Sequence, residues 1–232
     1  MKRNLVLIVM LTVAALSSLA AVDVHKFARF NRYEGANDSI VEIGKTPEVV
    51  LFGNSITDYW PKKHPEFFVE HPNILGRGIT TQTTYQFLLR FRQDVVNLHP
   101  KAVVILAGTN DIAQNAGAYD EDKTMDNIMS MVDLARANGI KVALASVLPA
   151  GSFYWRPEVT DGMAKIHHLN ERVREYAASQ NIPYIDYFSA MLTPDGSAMN
   201  PEYTEDGVHP NEAGYLVMES ILMPAINAVL AQ

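Results

Sequence analysis

The sequence predicts an α/β protein of three layers, with a five-stranded parallel sheet between two layers of helices. Three observations predict it. Five short apolar runs alternate with helical segments along the chain. The runs are continuous rather than alternating apolar and polar, as in strands buried on both faces. Glycines, hydroxyls, amides and acids follow the runs directly, and in open parallel sheets chemistry lies beyond the carboxyl ends of the strands.

The elements follow in order. From His25 to Pro47, apolar or aromatic residues recur at Phe27, Phe30, Tyr33, Ile40 and Ile43, a roughly helical spacing closed by Gly44 and Pro47. "VVLFG", Val49 to Gly53, is the first strand, and "NILG" at residues 73–76 is the second. Residues 81–98 form an amphipathic helix stopped by Pro100, and "AVVIL", Ala102 to Leu106, is the third strand. Residues 120–138 form a helix ended by Gly139, whose lack of Cβ suits a left-handed helix terminus. The fourth strand is 141–148, ended by Pro149. A helix at 161–179 precedes the fifth strand, "IPYID" at 182–186. Residues 211–230 are the closing helix, with a kink or break expected at Pro224.

A chain of 232 residues can bury a sizeable core, and residues 21–232 show neither repeats nor linkers, so they read as one domain that includes the N-terminal helical segment. Residues 1–20 differ. "MKR" is basic, "NLVLIVMLTVAAL" is apolar but short of a bilayer span, and "SSLA" supplies small residues with Ala20 at the cleavage point and Ser18 at −3. This is the layout of a signal peptide, so the expectation is export to the periplasm or beyond, with no stable membrane anchor after cleavage. The formal net charge is −7, and losing Lys2 and Arg3 makes the remainder more acidic still. An acidic surface repels phosphate backbones, which argues against nucleic-acid partners. There are no cysteines, which excludes thiol chemistry, cysteine metal sites and a lipidated cysteine at the cleavage point.

The strand ends carry the candidate chemistry. Gly53-Asn54-Ser55 follows the first strand, Gly76-Arg77-Gly78 the second and Gly108-Thr109-Asn110-Asp111 the third. Beyond the fifth lies "TEDGVHPNEAGY", with Asp206 and His209. Taken singly, each fits a turn or a helix cap as well. Together they supply what acyl transfer through serine needs: a hydroxyl, a base to take its proton, a carboxylate to orient the base, and donors for the oxyanion. Ser55 is the hydroxyl, His209 the base and Asp206, three residues away, the acid. Gly78 can expose a backbone N–H, and Asn110 a side-chain amide. Ser55 lacks the second glycine of the Gly-x-Ser-x-Gly nucleophile elbow, and an acid three residues from the base does not match that fold's widely spaced acid and base.

These blocks, spread from Val49 to Tyr215, resemble the SGNH or GDSL hydrolases, with the platelet-activating-factor acetylhydrolase-like and carbohydrate-esterase members the nearest subgroup. The resemblance implies a flavodoxin-like SGNH hydrolase fold, a Ser55-His209-Asp206 triad, an oxyanion hole from Ser55, Gly78 and Asn110, and neither metal nor cofactor. Two positions depart from the pattern. Asn54 stands where Asp is usual and is expected to brace the loop around Ser55. Thr81 stands where block two often has a second glycine, so the following helix is expected to start differently.

In the 151–157 loop, Tyr154 and Trp155 are candidates for a substrate-facing wall, though the loop could equally fold onto the core. Trp60 reads as core, His167 and His168 as helix-surface residues facing different ways, and Asp120 to Asp122 as a helix start. The expected activity is a secreted serine esterase acting on short acyl, chiefly acetyl, esters of carbohydrate or small molecules. The alternatives are a lipid acyl esterase or lysophospholipase using the same site, a non-catalytic glycan-binding module and, more remotely, a flavin or phosphate binder, for which the single glycine of "GNSITDYW" is a poor cradle.

Overall fold

Val49 to Gly53 is buried along its whole length. This strand, β1, lies between β2 (Ile74–Gly78) and β3 (Ala102–Leu106), followed by β4 (Lys141–Ala145) and β5 (Tyr184–Ile185). All pairings are parallel and the spatial order is β2-β1-β3-β4-β5, the flavodoxin-like order. The computed structural model describes residues 22–231, so the expected signal segment lies outside the described residues.

The helices, in chain order, are α1 (Val24–Ala28), α2 (Glu34–Glu42), α3 (Ser55–Lys63), α4 (Glu66–Glu70), α5 (Thr84–Asp94), α6 (Thr109–Ile112), α7 (Glu121–Ala137), α8 (Gly162–Ser179), α9 (Tyr187–Met191) and α10 (Glu212–Ala231). Strand residues alternate between two cores, because successive side chains point to opposite faces. Val50, Phe52, Val103, Ile105, Val142 and Leu144 pack with apolar residues of α5, α7 and α8. Val49, Leu51, Val104, Leu106, Ala143 and Ala145 pack with Ile56 and Trp60 of α3 and with α10. The three-layer expectation is met. On α10, Tyr215, Met218, Leu222, Ile226 and Val229 form the buried stripe at helical spacing.

Several boundaries differ from expectation. The N-terminal helix is broken: α1 and α2 are separated by a 3₁₀ turn, with Arg29 in the left-handed region at φ 52°. β2 runs on through Arg77 to Gly78, because the N-terminal segment covers that side chain. Arg77 Nε donates to Asn37 Oδ1 at 2.9 Å and its guanidinium lies over the Tyr33 ring. The helix expected from residue 81 starts at Thr84, behind a Thr83–Gln86 capping box. β4 ends at Ala145 and β5 is only two residues long. Pro224 does not end α10, which continues to Ala231. Gly139 takes the left-handed conformation beyond α7, as expected, and Asp120 caps that helix by accepting from Lys123 N at 3.0 Å.

Candidate active site

The strand order reverses direction between β1 and β3, and Ser55 and Asn110 follow these two strands. Ser55 is the first residue of α3, so its backbone N–H has no intrahelical acceptor. Asn54 is the N-cap: its Oδ1 accepts from Ile56 N at 3.0 Å, and its carbonyl accepts from Asp58 N at 2.9 Å. This is the bracing expected of Asn54, and it needs an acceptor rather than a charge.

Ser55 Oγ lies 2.8 Å from His209 Nε2, and His209 Nδ1 lies 2.7 Å from Asp206 Oδ2. The three residues come from opposite ends of the chain, and the hydrogen bonds join them in one line. Asp206 Oδ1 accepts from the backbone N–H groups of Val208 and His209, at 2.9 and 2.8 Å. Burial pushes the Asp206 carboxyl up, but the His209 N–H, the His209 ring and the Val208 N–H outweigh it, and the carboxyl sits below its usual range. Asp206 is thus anionic at neutral pH. Thr204 Oγ1 donates to the His209 carbonyl at 2.8 Å and accepts from Gly207 N at 3.0 Å, tying down the turn.

Gly78 lies flush against the first turn of α3. A Cβ there would stand 2.2 Å from Asp58 N, 2.5 Å from the Thr57 carbonyl carbon and 2.6 Å from Asn54 O, all backbone atoms. Its neighbour loop is strained at Thr81, which has φ 72° where a glycine would be relaxed. The departure expected there is real, and the surroundings hold it. Arg29 Nη1 donates to Thr80 O at 3.2 Å, and Gln82 Nε2 to Ala28 O at 2.8 Å.

Asn110 is 3% exposed. Its Nδ2 donates to Gln82 O at 2.9 Å and its Oδ1 accepts from Asn115 Nδ2 at 2.9 Å. Next to it, burial lifts the Asp111 carboxyl to about 6, against the hydrogen bonds from the Thr84 hydroxyl and N–H. The 151–157 loop does reach the site. The Trp155 ring centre is 6.2 Å from that of His209 and 4.8 Å from that of Tyr154, which is 66% exposed. Trp60 is core, stacked on Phe67, with its N–H donated to Glu219 Oε1 at 2.8 Å.

Three contributors escape sequence reasoning. Tyr59, whose ring centre is 5.2 Å from that of His209, sits four residues after Ser55, and that helical spacing was a usable signal. Arg90 interrupts the apolar face "FLLRF" of α5. It is fully buried, donating to Gly53 O, Arg77 O, Gln82 Oε1 and Asp94 Oδ2, and so ties the ends of β1 and β2 together. Asn115 has no spacing that marks it.

This sheet, with polar groups gathered at its switch point, belongs to a carboxylic ester hydrolase. The model of the GDSL-like lipase/acylhydrolase family matches residues 38–217, and the chain belongs to that family. A crystal structure described as an acylhydrolase from Bacteroides fragilis is 49% identical, with a TM-score of 0.84 over 88% of this chain and 98% of that one. A GDSL-like lipase from Bacteroides thetaiotaomicron is 50% identical, with a TM-score of 0.82 over 87% of this chain and 98% of that one. The lipoprotein YqeF of Bacillus subtilis is 29% identical over 67% of this chain and 76% of its own length.

Proposed function

We propose that this esterase is exported and removes short acyl groups, chiefly acetyl, from carbohydrate or other small-molecule esters through an acyl-enzyme on Ser55. The observation that carries this reading is the line of hydrogen bonds from Ser55 Oγ through the His209 ring to Asp206. His209 Nε2 takes the hydroxyl proton as Oγ bonds to the ester carbonyl carbon. The oxyanion so formed takes hydrogen bonds from the N–H groups of Ser55 and Gly78 and the Asn110 amide. His209 returns the proton to the departing alcohol. Water then gives its proton to His209, attacks the acyl carbon and releases the acid, and Ser55 recovers its proton. Asp206, held anionic, keeps Nδ1–H of His209 pointed at itself and stabilises the imidazolium.

Carbohydrate as the alcohol side is supported by Tyr59, Tyr154 and Trp155 around His209, since aromatic faces stack on sugar rings. Export is supported by the likeness to a lipoprotein and by the N-terminal composition; the chain itself has no cysteine to carry a lipid. The test is hydrolysis of p-nitrophenyl acetate by wild type and Ser55→Ala, followed by a series from acetyl to long acyl esters and by acetylated xylan. Loss of activity in Ser55→Ala and a decline with chain length support the reading. Equal rates in the two proteins overturn it, and a preference for long chains moves the substrate to lipid.

A further inference from the structure

Asn110 can serve an oxyanion only if its amide points the right way. A primary amide has a donor end and an acceptor end of nearly equal shape, and turning it by half a rotation replaces the N–H by a carbonyl oxygen. A carbonyl facing the oxyanion would repel the charge it is meant to hold. Something must therefore set the orientation of Asn110, and contacts at both ends of the amide set it: Gln82 O, which can only accept, at Nδ2, and Asn115 Nδ2 at Oδ1.

The indole N–H of Trp155 can only donate. It donates to Asn115 Oδ1 at 2.9 Å. With Oδ1 committed to Trp155, the Asn115 side chain has only its Nδ2 to offer elsewhere, and Nδ2 donates to Asn110 Oδ1 at 2.9 Å and to Thr81 O at 3.3 Å. Asn110 Oδ1 is thereby fixed on that side. Its Nδ2 turns away, with one N–H on Gln82 O and the second left for a ligand. Asn115 is also held by its backbone, whose N–H donates to Asn110 O at 3.0 Å. The loop bearing Trp155 is clasped to the same turn by Arg156 Nη2, which donates to Gln114 O at 3.0 Å. The order runs from a donor-only group through two amides, so each amide has one satisfied orientation.

We infer that Asn115 and Trp155 are positioning residues: the Trp155–Asn115 relay locks the Asn110 amide with its N–H toward the oxyanion, and so couples the substrate-side aromatic loop to the rate of acyl transfer. This rests on Asn110 being an oxyanion donor. Trp155 then has two parts to play, its ring toward the substrate and its N–H toward the relay.

Two variants, one of them isosteric, separate the relay from packing. Asn115→Asp keeps the acceptor for Trp155 but removes the donor, so Asn110 is expected to turn its Nδ2 toward the new carboxylate. kcat should fall about as far as in Asn110→Ala, on the order of a hundredfold, with KM changed little. Trp155→Phe keeps an aromatic face but loses the pyrrole part of the indole with its N–H, and should lower kcat by about fivefold to tenfold. The deciding protein is the Asn110→Ala/Asn115→Asp double variant. If Asn115 acts through Asn110, the double variant is no slower than Asn110→Ala alone. A further fall in the double variant means that the new charge acts directly on the site, and overturns the relay. Wild-type kcat in Asn115→Asp and Trp155→Phe also overturns it, as does a rise in KM alone for Trp155→Phe. Failure of the esterase reading looks different: Ser55→Ala would then match wild type whatever the relay variants do.

Discussion

At Ser55 the hydroxyl meets one ring nitrogen of His209, and the other nitrogen of that ring is engaged with Asp206, so a proton leaving Ser55 has a defined place to go. These residues, with Gly78 and Asn110, stand out in the sequence as candidates because each follows a strand end or lies in a short Asp-x-x-His turn. Asn54 was legible as a brace because capping needs only an acceptor at that position. Asn115 and Arg90 were not, since their roles come from hydrogen bonds to residues whose proximity only the folded chain creates. Trp155 was legible as an aromatic near the site, but not as a donor to Asn115. Gly78 gives a sharp prediction at this scale. In Gly78→Ala the new methyl would run into backbone atoms of α3's first turn, which cannot swing aside as side chains do. Stability should fall by roughly 3 kcal/mol or more, at the upper end of overpacking costs, and esterase activity should fall with it. Urea unfolding and a rate assay on the same sample check both; an unchanged midpoint would show that the turn has room.

Elements were recognised well where the sequence pattern was continuous and poorly where neighbours decide. β1 and β3 appear with the expected bounds, because an unbroken apolar run of five residues leaves little choice. β2 extends past the expected stop where Tyr33 and Asn37 of the N-terminal segment cover Arg77, a tertiary effect with no local signature. The helix α5 carries Arg90 on its apolar face for the same reason: the side chain is surrounded by carbonyls and by Asp94, and it lies over Phe52 and Phe87. Where α6 meets α5, Asp111 sits against Thr84 with its carboxyl lifted by burial to about 6. Its folded value is above its unfolded one, so folding takes up a proton between about pH 4 and pH 6 and the ionised form destabilises the fold above that window. At about 1.4 kcal/mol per pH unit, the cost at neutral pH is roughly 3 kcal/mol at most. Asp111→Asn should therefore gain stability relative to wild type as pH rises from 4 to 6, with a constant difference above. Melting temperatures of both proteins across pH 4 to 8 measure it, and parallel curves would contradict the assignment.

For the whole molecule, the sheet order β2-β1-β3-β4-β5 explains why residues distant in sequence form one site. Ser55 and Asn110 leave adjacent strands at the switch point, Gly78 leaves the outer neighbour of β1, and the turn before α10 returns Asp206 and His209 to them. Class and layers were legible from continuous apolar runs alternating with helical segments; the strand order entered only through the family resemblance, because adjacency in a parallel sheet leaves no periodic mark. Whether Ser55 is the nucleophile is decided by covalent labelling with a reactive aryl dialkyl phosphate such as diethyl p-nitrophenyl phosphate, read by intact-mass and peptide mass spectrometry. A single dialkyl phosphoryl group is expected on Ser55, formed far more slowly in His209→Ala and not at all in Ser55→Ala. A label on another residue, or labelling of the Ser55→Ala protein at the wild-type rate, would contradict that assignment.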